Sequence, residues 1–351
     1  MRQLSLYLLG PYHVILDGAP VTEFRSDKVR ALLAYLAVEA DRPHRRDALA
    51  GLLWPDVPDR TARKNLRLTL HRLRDALDDL ETESAYFRIT RETIQVRPAA
   101  IWVDAVAFAG LIAACQNHDH RHVETCAACA ERLAEAAALY RGDFLQGFFL
   151  DDCLAFSEWV LLKREALHRQ ALPALSHLAE YHRRRGEMKQ AQVYATRQLE
   201  LEPWREEAHR QLMDILARSG EVCAALAQFE TCRRVLAVEL DIEPDDETVR
   251  LYQRIRATRG RPHHNLPPQV TPFVGRDDEL ARIAELLADP DCRLLTIVGP
   301  GGIGKSRLAV QAAQMLADEH ARRFLEGVAY VPLAGVESPA VLPSAIAEAL
   351  G

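Results

Sequence analysis

Eight consecutive residues, Gly299-Pro300-Gly301-Gly302-Ile303-Gly304-Lys305-Ser306, fit the pattern G-x-x-x-x-G-K-[ST]. The chemistry that this spacing serves is phosphate binding. Glycines let successive backbone N–H groups turn inward toward phosphate oxygens. A helix that starts at the end of the loop presents its positive N-terminal end to the same anion. Lys305 is then placed to neutralise β/γ charge, and Ser306 to ligate Mg²⁺, so the expected ligand is ATP or ADP with Mg²⁺. The flanking pattern suits this: a strand over 293–298, a helix over about 305–318, a further strand over 327–333 and a last helix over about 339–350. Hydrolysis is not part of the expectation. It needs an acidic residue at the end of a later strand, and no such strand follows within the 351 residues, so 273–351 reads as the N-terminal part of a longer NTPase domain.

A second group of residues has the chemistry of polyanion recognition. Between Arg60 and Arg74 stand six Lys/Arg and no acid: Arg60, Arg63, Lys64, Arg67, Arg72 and Arg74. Leu66, Leu70, Leu73 and Leu77 recur at helical steps and form one apolar stripe. Arg60, Arg63 or Lys64, Arg67, His71 and Arg74 share another face. Such a helix, over about 60–77, buries one side and offers donors on the other, as a recognition helix in a major groove must. Arg63, Lys64, Arg67 and His71 are the expected contacts to bases or nearby phosphates, and Arg60, Arg72 and Arg74 the expected phosphate contacts. Arg88 and Arg91 sit near a terminal hairpin and are candidates for the DNA backbone or minor groove. A charge run is more often a plain solvated face. The elements around this one are what favour DNA.

Those elements follow in order. Residues 1–20 alternate apolar and polar, with Gly10-Pro11 and Asp17-Gly18 as turns, so short strands and a hairpin are expected. Ser26 has the position of an N-cap for a helix through Val29, Leu32, Leu33 and Leu36. A short helix over 46–53 ends at Trp54-Pro55, a third covers 59–80, and 86–90 and 93–96 read as two strands around a turn. Strands, three helices and a terminal hairpin are the plan of a winged helix-turn-helix. From about 103 to 256 the pattern is helical, and Gly186, Ala191 and Ala195 recur 34 residues on as Gly220, Ala225 and Phe229. That is the tetratricopeptide period. Residues 258–272, rich in Pro, Gly, Arg and His, read as a semi-extended linker.

Composition bounds the rest. The net charge of −6, from 44 Lys+Arg against 50 Asp+Glu, argues against a general polyanion binder and leaves the local basic stretch as the exception. No run approaches the roughly 18 apolar residues of a membrane helix, and the apolar N-terminus lacks a long h-region and cleavage site, so it reads as a strand. Seven Cys, an odd number at scattered spacing, point to a reducing cytoplasm. His118, His120, His122, Cys126 and Cys129 invite a zinc reading. No second Cys pair stands at finger spacing, so the preferred reading is a polar His-rich loop entering a helix with two small buried Cys. Trp54, Trp159 and Trp204 are expected packing anchors.

Particular residues carry a family resemblance. Leu52-Leu53-Trp54-Pro55-Asp56, Ala62-Arg63-Lys64-Asn65-Leu66-Arg67 and His71-Arg72-Leu73-Arg74 resemble the OmpR-like winged helix of the SARP/AfsR regulators. Tyr140-Arg141-Gly142-Asp143-Phe144-Leu145, the run from Pro203 to Met213, and Glu239-Leu240-Asp241-Ile242-Glu243-Pro244 are similar to that family's bacterial transcriptional activation domain, departing at Asp241, where Gly is common. Phe273-Val274-Gly275-Arg276-Asp277-Asp278-Glu279-Leu280, followed by the phosphate loop, is similar to the STAND/NB-ARC-type ATPase module, which adds Val274 and Arg276 to the expected nucleotide contacts.

The resemblance implies a multidomain, mainly α protein: an OmpR-like winged helix-turn-helix at 1–98, a TPR-like activation domain at 99–257, a linker at 258–272 and the start of an α/β P-loop NTPase domain at 273–351. It implies a bacterial, cytoplasmic, nucleoid-associated transcriptional activator. The expected partners are double-stranded DNA at promoter direct repeats, RNA polymerase and a second copy of the chain, with ATP as a switch and no membrane. The alternative is a P-loop NTPase signalling scaffold whose winged helix binds protein. The cation-only face distinguishes the two, since a protein-binding version does not require it.

Overall fold

The computed structural model describes residues 3–80, 84–119, 122–257, 264–269, 271, 273–289, 291–319, 328–333 and 341–350. The chain divides into two compact units, 1–177 and 178–351. The first unit opens with the short strands expected there: β1 (Leu4–Tyr7), β2 (His13–Leu16) and β3 (Ala19–Pro20), antiparallel in sequence order. Helix α1 (Asp27–Val38) starts after Ser26, whose backbone is extended but whose hydroxyl makes no capping bond. Then come β4 (His44–Arg45), α2 (Arg46–Leu53), α3 (Asp59–Ala76), β5 (Phe87–Ile89) and β6 (Thr93–Val96), the last two forming a wing in a sheet of order β4-β6-β5. Helix α2 covers the expected residues, while α3 stops at Ala76, short of 80.

The sequence reading placed a boundary at 98/99, and the structure runs a shared core through it. Strand β7 (Ile101–Val103) pairs parallel with β1 and completes the sheet β3-β2-β1-β7. Helix α4 (Asp104–Gln116) follows directly, beginning with a carboxylate that is 0% exposed. Asp104 Oδ1 accepts the Leu8 N–H at 2.7 Å, and Oδ2 accepts the Leu9 N–H at 3.0 Å. Asp104 also accepts the Ala105 N–H at 2.7 Å and the Arg141 guanidinium at 3.2 Å. Burial raises its pKa above the ordinary aspartate value, with the three backbone donors and Arg141 pulling the other way.

The segment between α5 (Ala127–Leu139) and α6 (Leu154–Arg184) lies against the same β1–β2 turn. Leu145 N–H donates to the Leu8 carbonyl at 2.7 Å, Gln146 N–H to Gly10 at 3.0 Å, and Gly10 N–H to Asp143 at 3.0 Å. A Cβ on Gly142 would meet the Gln146 side-chain oxygen at 2.5 Å and touch Gly10 Cα at 3.4 Å, so a larger residue there would have to displace Gln146. Arg141 lies over the Tyr7 ring, 4.8 Å from its centroid. The Tyr-Arg-Gly-Asp-Phe-Leu run is therefore a docking loop.

Helix α6 holds the winged helix from another side. Trp159, a packing anchor as expected, sits 4.9 Å from the Tyr35 ring of α1 and 5.6 Å from Phe144. Its indole N–H donates to Glu39 at 2.9 Å, and Lys163 pairs with the same carboxylate at 2.7 Å. Burial pushes the Glu39 carboxyl up, but the hydrogen bonds from Lys163 and Trp159 outweigh it and hold the pKa below its ordinary value. The Leu53 carbonyl at the end of α2 accepts Lys28 Nζ at 2.9 Å and the Cys153 thiol at 3.0 Å, closing that helix terminus.

The second unit contains α7 (Met188–Leu201), α8 (Glu206–Ser219), α9 (Val222–Glu239) and α10 (Asp246–Ala257). The 34-residue spacing is realised as paired helices. Gly186 and Gly220 take the same left-handed turn, at φ +77° and +93°, and Ala191, Ala195, Ala225 and Phe229 are buried in one core. Asp241 has φ +57°, which explains why glycine is common there. His209 is 2% exposed. It bonds the Pro203 carbonyl through Nε2 (2.8 Å) and accepts from Gln228 through Nδ1 (2.7 Å). Burial lowers its pKa, and the Pro203 bond opposes that shift.

Beyond the linker lie α11 (Asp277–Ala288), α12 (Lys305–Glu319) and α13 (Leu342–Leu350). The expected strands are not formed among the described residues. Over 293–298, Leu295 and Ile297 pack toward Leu280, Ile283, Leu308 and Ala312, while Leu294 and Val298 are 85% and 83% exposed. That is strand-like alternation without a ladder neighbour, and a strand exists only when paired. The 327–333 segment contributes one bridge, Val328 to His264, and residue 327 lies outside the described residues, as do 258–263 of the linker and 339–340 of the last predicted helix. No helix among the described residues is long and apolar enough to cross a membrane.

Two predictions follow from this packing. Asp104→Ala removes the acceptor of the buried Leu8, Leu9 and Ala105 N–H groups and should destabilise the first unit by about 3 kcal/mol; a urea midpoint unchanged from the parent would contradict this. His209 is kept neutral by the fold, so its stabilising contribution is complete above the ordinary histidine pKa of about 6.5 and is lost as pH falls through that value. Unfolding midpoints measured from about pH 7.5 to about pH 5.5 should fall less steeply in His209→Gln than in the parent.

Candidate nucleic-acid interface

Helix α3 displays the expected two faces. Ala62, Leu66, Leu70 and Leu73 are buried against α1 and α2, and Leu77 closes the stripe. Arg60, Arg63, Lys64, Arg67 and His71 are all exposed, and Arg72 is half-buried. Arg63 bonds Asp47 of α2 at 2.7 Å, with both side chains more than half exposed. Exposed pairs of this kind stabilise by at most about 1 kcal/mol, so a phosphate can compete for that guanidinium.

Arg74 departs from the expected phosphate-holding role. It is half-buried and turned to Asp79 at 3.5 Å, a carboxylate that is itself 4% exposed and accepts the Ala85 N–H and the Ser84 hydroxyl. The arginine therefore neutralises a buried acid at the turn leading toward the wing. A helical wheel places Arg74 on the basic face. It gives no hint of Asp79, which enters from beyond the helix end.

The wing brings a further cation to the surface that sequence reasoning did not single out. Arg46, the first residue of α2, donates through Nε to the Thr90 carbonyl at 3.1 Å, and its N–H bonds Glu92 at 2.9 Å. These bonds tie the β5–β6 turn to α2. Burial lowers the Arg46 pKa, and the nearby Arg67 charge lowers it further. Arg46 lies outside the cation run, so only its position at the start of a predicted helix beside a predicted hairpin could have suggested it. Arg88 on β5 and Arg91 in the wing turn are both exposed.

The phosphate-loop residues form a separate feature. Gly302 and Gly304 have φ +78° and +89°, conformations open to glycine at low cost, and α12 begins at Lys305. Lys305 Nζ donates to the carbonyls of Gly299 and Pro300, each at 2.9 Å, so the ammonium lies over its own loop. Arg276 donates to the Ile303 carbonyl at 2.8 Å, joining the loop to the start of α11, whereas Val274 is 87% exposed. Gly301, Ile303 and Ser306 are exposed.

Comparison with known proteins agrees with this architecture. Residues 103–256 match the family described as "Bacterial transcriptional activator domain". The chain is 27% identical over 378 residues to the regulatory protein AfsR of Streptomyces griseus, covering 98% of this chain and 35% of that protein. The AfsR of Streptomyces coelicolor is also 27% identical, over 384 residues. The chain thus spans about a third of the length of these curated relatives. Among solved structures, Mycobacterium tuberculosis EmbR in complex with a low-affinity phosphopeptide superposes with a TM-score of 0.55 at 21% identity, over 82% of this chain and 70% of that one, a likeness of fold. A winged helix followed by TPR-like helices is thus accompanied by an activator-domain match over 103–256 and by similarity to AfsR along nearly the whole of this chain.

Proposed function

We propose that the chain is a DNA-binding transcriptional regulator of the activator type, with α3 in the major groove and the β5–β6 wing on the flanking backbone. The observation that carries this reading is the exposed cationic face of Arg60, Arg63, Lys64, Arg67 and His71 on a helix whose other face is buried. Arg63, Lys64, Arg67 and His71 reach bases or nearby phosphates. Arg60 and Arg72 hold phosphates, joined by Arg46, and Arg88 and Arg91 approach the backbone from the wing. The site of action is the bacterial cytoplasm. Promoter direct repeats, RNA polymerase and a second copy of the chain are the partners in this reading.

Nucleotide binding is a second part of the proposal. The left-handed glycines, the helix starting at Lys305 and the ammonium resting on loop carbonyls suit a phosphate-binding loop. Gly299, Pro300, Gly301, Gly302, Ile303 and Gly304 would supply the cradle, Lys305 the charge, and Ser306 a ligand for the Mg²⁺ that accompanies ATP. Val274 and Arg276 would border the nucleotide. Bound ATP–Mg²⁺ supplies charge and bulk that bias the chain between states, with no hydrolysis required.

Both parts are testable. Binding to a labelled duplex enriched from a random pool should weaken steeply with salt, and Arg67→Ala should flatten the plot of log affinity against log salt by about one unit. Unchanged slope and affinity would refute the interface and favour a protein-binding winged helix. Lys305→Ala should abolish ATP–Mg²⁺ binding in calorimetry while leaving the circular dichroism intact; retained affinity would remove the phosphate loop from the account.

A further inference from the structure

Three of the histidine and cysteine residues after α4 come together in space, His118, Cys126 and Cys129, while His120 lies outside the described residues. His118 Nδ1 lies 3.2 Å from Cys129 Sγ and 3.6 Å from Cys126 Sγ, and the three donor atoms fall within 4.8 Å of one another. Cys129 is 0% exposed, and His118 and Cys126 are half-buried. A further thiol lies next to Cys129, outside that group of three. Cys115, 4% exposed in the last turn of α4, directs its thiol to the Cys129 carbonyl at 3.7 Å. In sequence the four form Cys115-x-x-His118 and Cys126-x-x-Cys129, two chelating pairs carried on adjacent, packed helices. The preferred sequence reading had set zinc aside for want of a second pair. Cys115 supplies it, with histidine in the place of the second cysteine.

We propose that His118, Cys126 and Cys129 bind a soft divalent cation, Zn²⁺, with Cys115 turning from the Cys129 carbonyl to complete the tetrahedron, so that the ion ties the end of α4 to the start of α5. The distances suit the chemistry. Metal bonds of about 2.3 Å to sulfur and about 2.0 Å to nitrogen, at the tetrahedral angle, separate sulfur from nitrogen by about 3.5 Å. The two observed S···N distances bracket that value. Three cysteines and one histidine are a ligand set of structural zinc sites. Burial first, and then the neighbouring Cys126 and Cys115, push the Cys129 thiol up to about 12. Crowded sulfurs that resist ionisation alone ionise readily around a dication, which displaces the thiol protons to solvent. Cys126 is also the residue immediately before α5, so an ion held there fixes that helix's first turn.

The test uses the full chain, untagged and reduced, with Co²⁺ as a spectroscopic probe. One Co²⁺ per chain should bind with a thiolate-to-cobalt charge-transfer band and intense tetrahedral visible bands, and Zn²⁺ should displace it. Cys126→Ser and His118→Ala change half-buried side chains, so both should remain folded by circular dichroism. Each should weaken cobalt binding by at least about tenfold. Cys223→Ser, at an exposed cysteine on α9, should leave it unchanged. Chelation should lower the melting temperature of the parent and not of Cys126→Ser. Absence of charge-transfer bands in the reduced parent would overturn the proposal, and so would bands insensitive to both variants. A Cys126–Cys129 disulfide with no metal uptake after reduction would overturn it as well.

Discussion

The first unit depends on one buried carboxylate. Asp104 ends β7 and begins α4, and its two oxygens take the N–H groups of Leu8 and Leu9 just beyond β1. Leaving either donor unpaired in this core would cost about 1–3 kcal/mol. Arg141 supplies the counter-charge from the docking loop and stacks on Tyr7, so one side chain joins sheet, helix and loop. The N-terminal sheet is thus satisfied by residues about a hundred positions downstream. The winged helix reads as a self-contained domain in sequence, yet its hydrogen bonds are completed by the segment that follows it.

This arrangement also sets how the basic face of α3 is held. Glu39, at the end of α1, is held by Trp159 and Lys163 of α6, and the last carbonyl of α2 is held by Lys28 and Cys153. Helices α1 and α2 are also the supports against which α3 buries its leucines. The orientation of the basic face is therefore set by contacts that belong to the activator domain. The α3 face and the helices that hold it lie within the one compact unit 1–177.

Much of this was readable from residue pattern. The leucine stripe of α3, the bounds of α2, the wing strands and the 34-residue repeat all follow from local periodicity, which a sequence states directly. What could not be read depends on partners remote in sequence. Ile101-Trp102-Val103 is too short to show a period and becomes a strand only because β1 offers an edge. The basic wheel of α3 includes Arg74, but Asp79 claims it. Arg46 is tied to the wing through the Thr90 carbonyl, distant along the chain. Residues 293–298 alternate as a strand should, yet alternation alone supplies no ladder. Cys115 resembles an ordinary core cysteine until α5 brings Cys129 beside it.

The central claim is that residues 1–177 are one cooperative unit built around Asp104. Native-state hydrogen exchange of the Leu8, Leu9 and Leu145 amides, compared with those in the core of α1, tests it most directly. The account predicts that both sets exchange through the same opening, with equal free energies and equal dependence on denaturant. Docking amides that exchange through a smaller, separate opening, while α1 stays protected, would show a winged helix that folds and moves on its own.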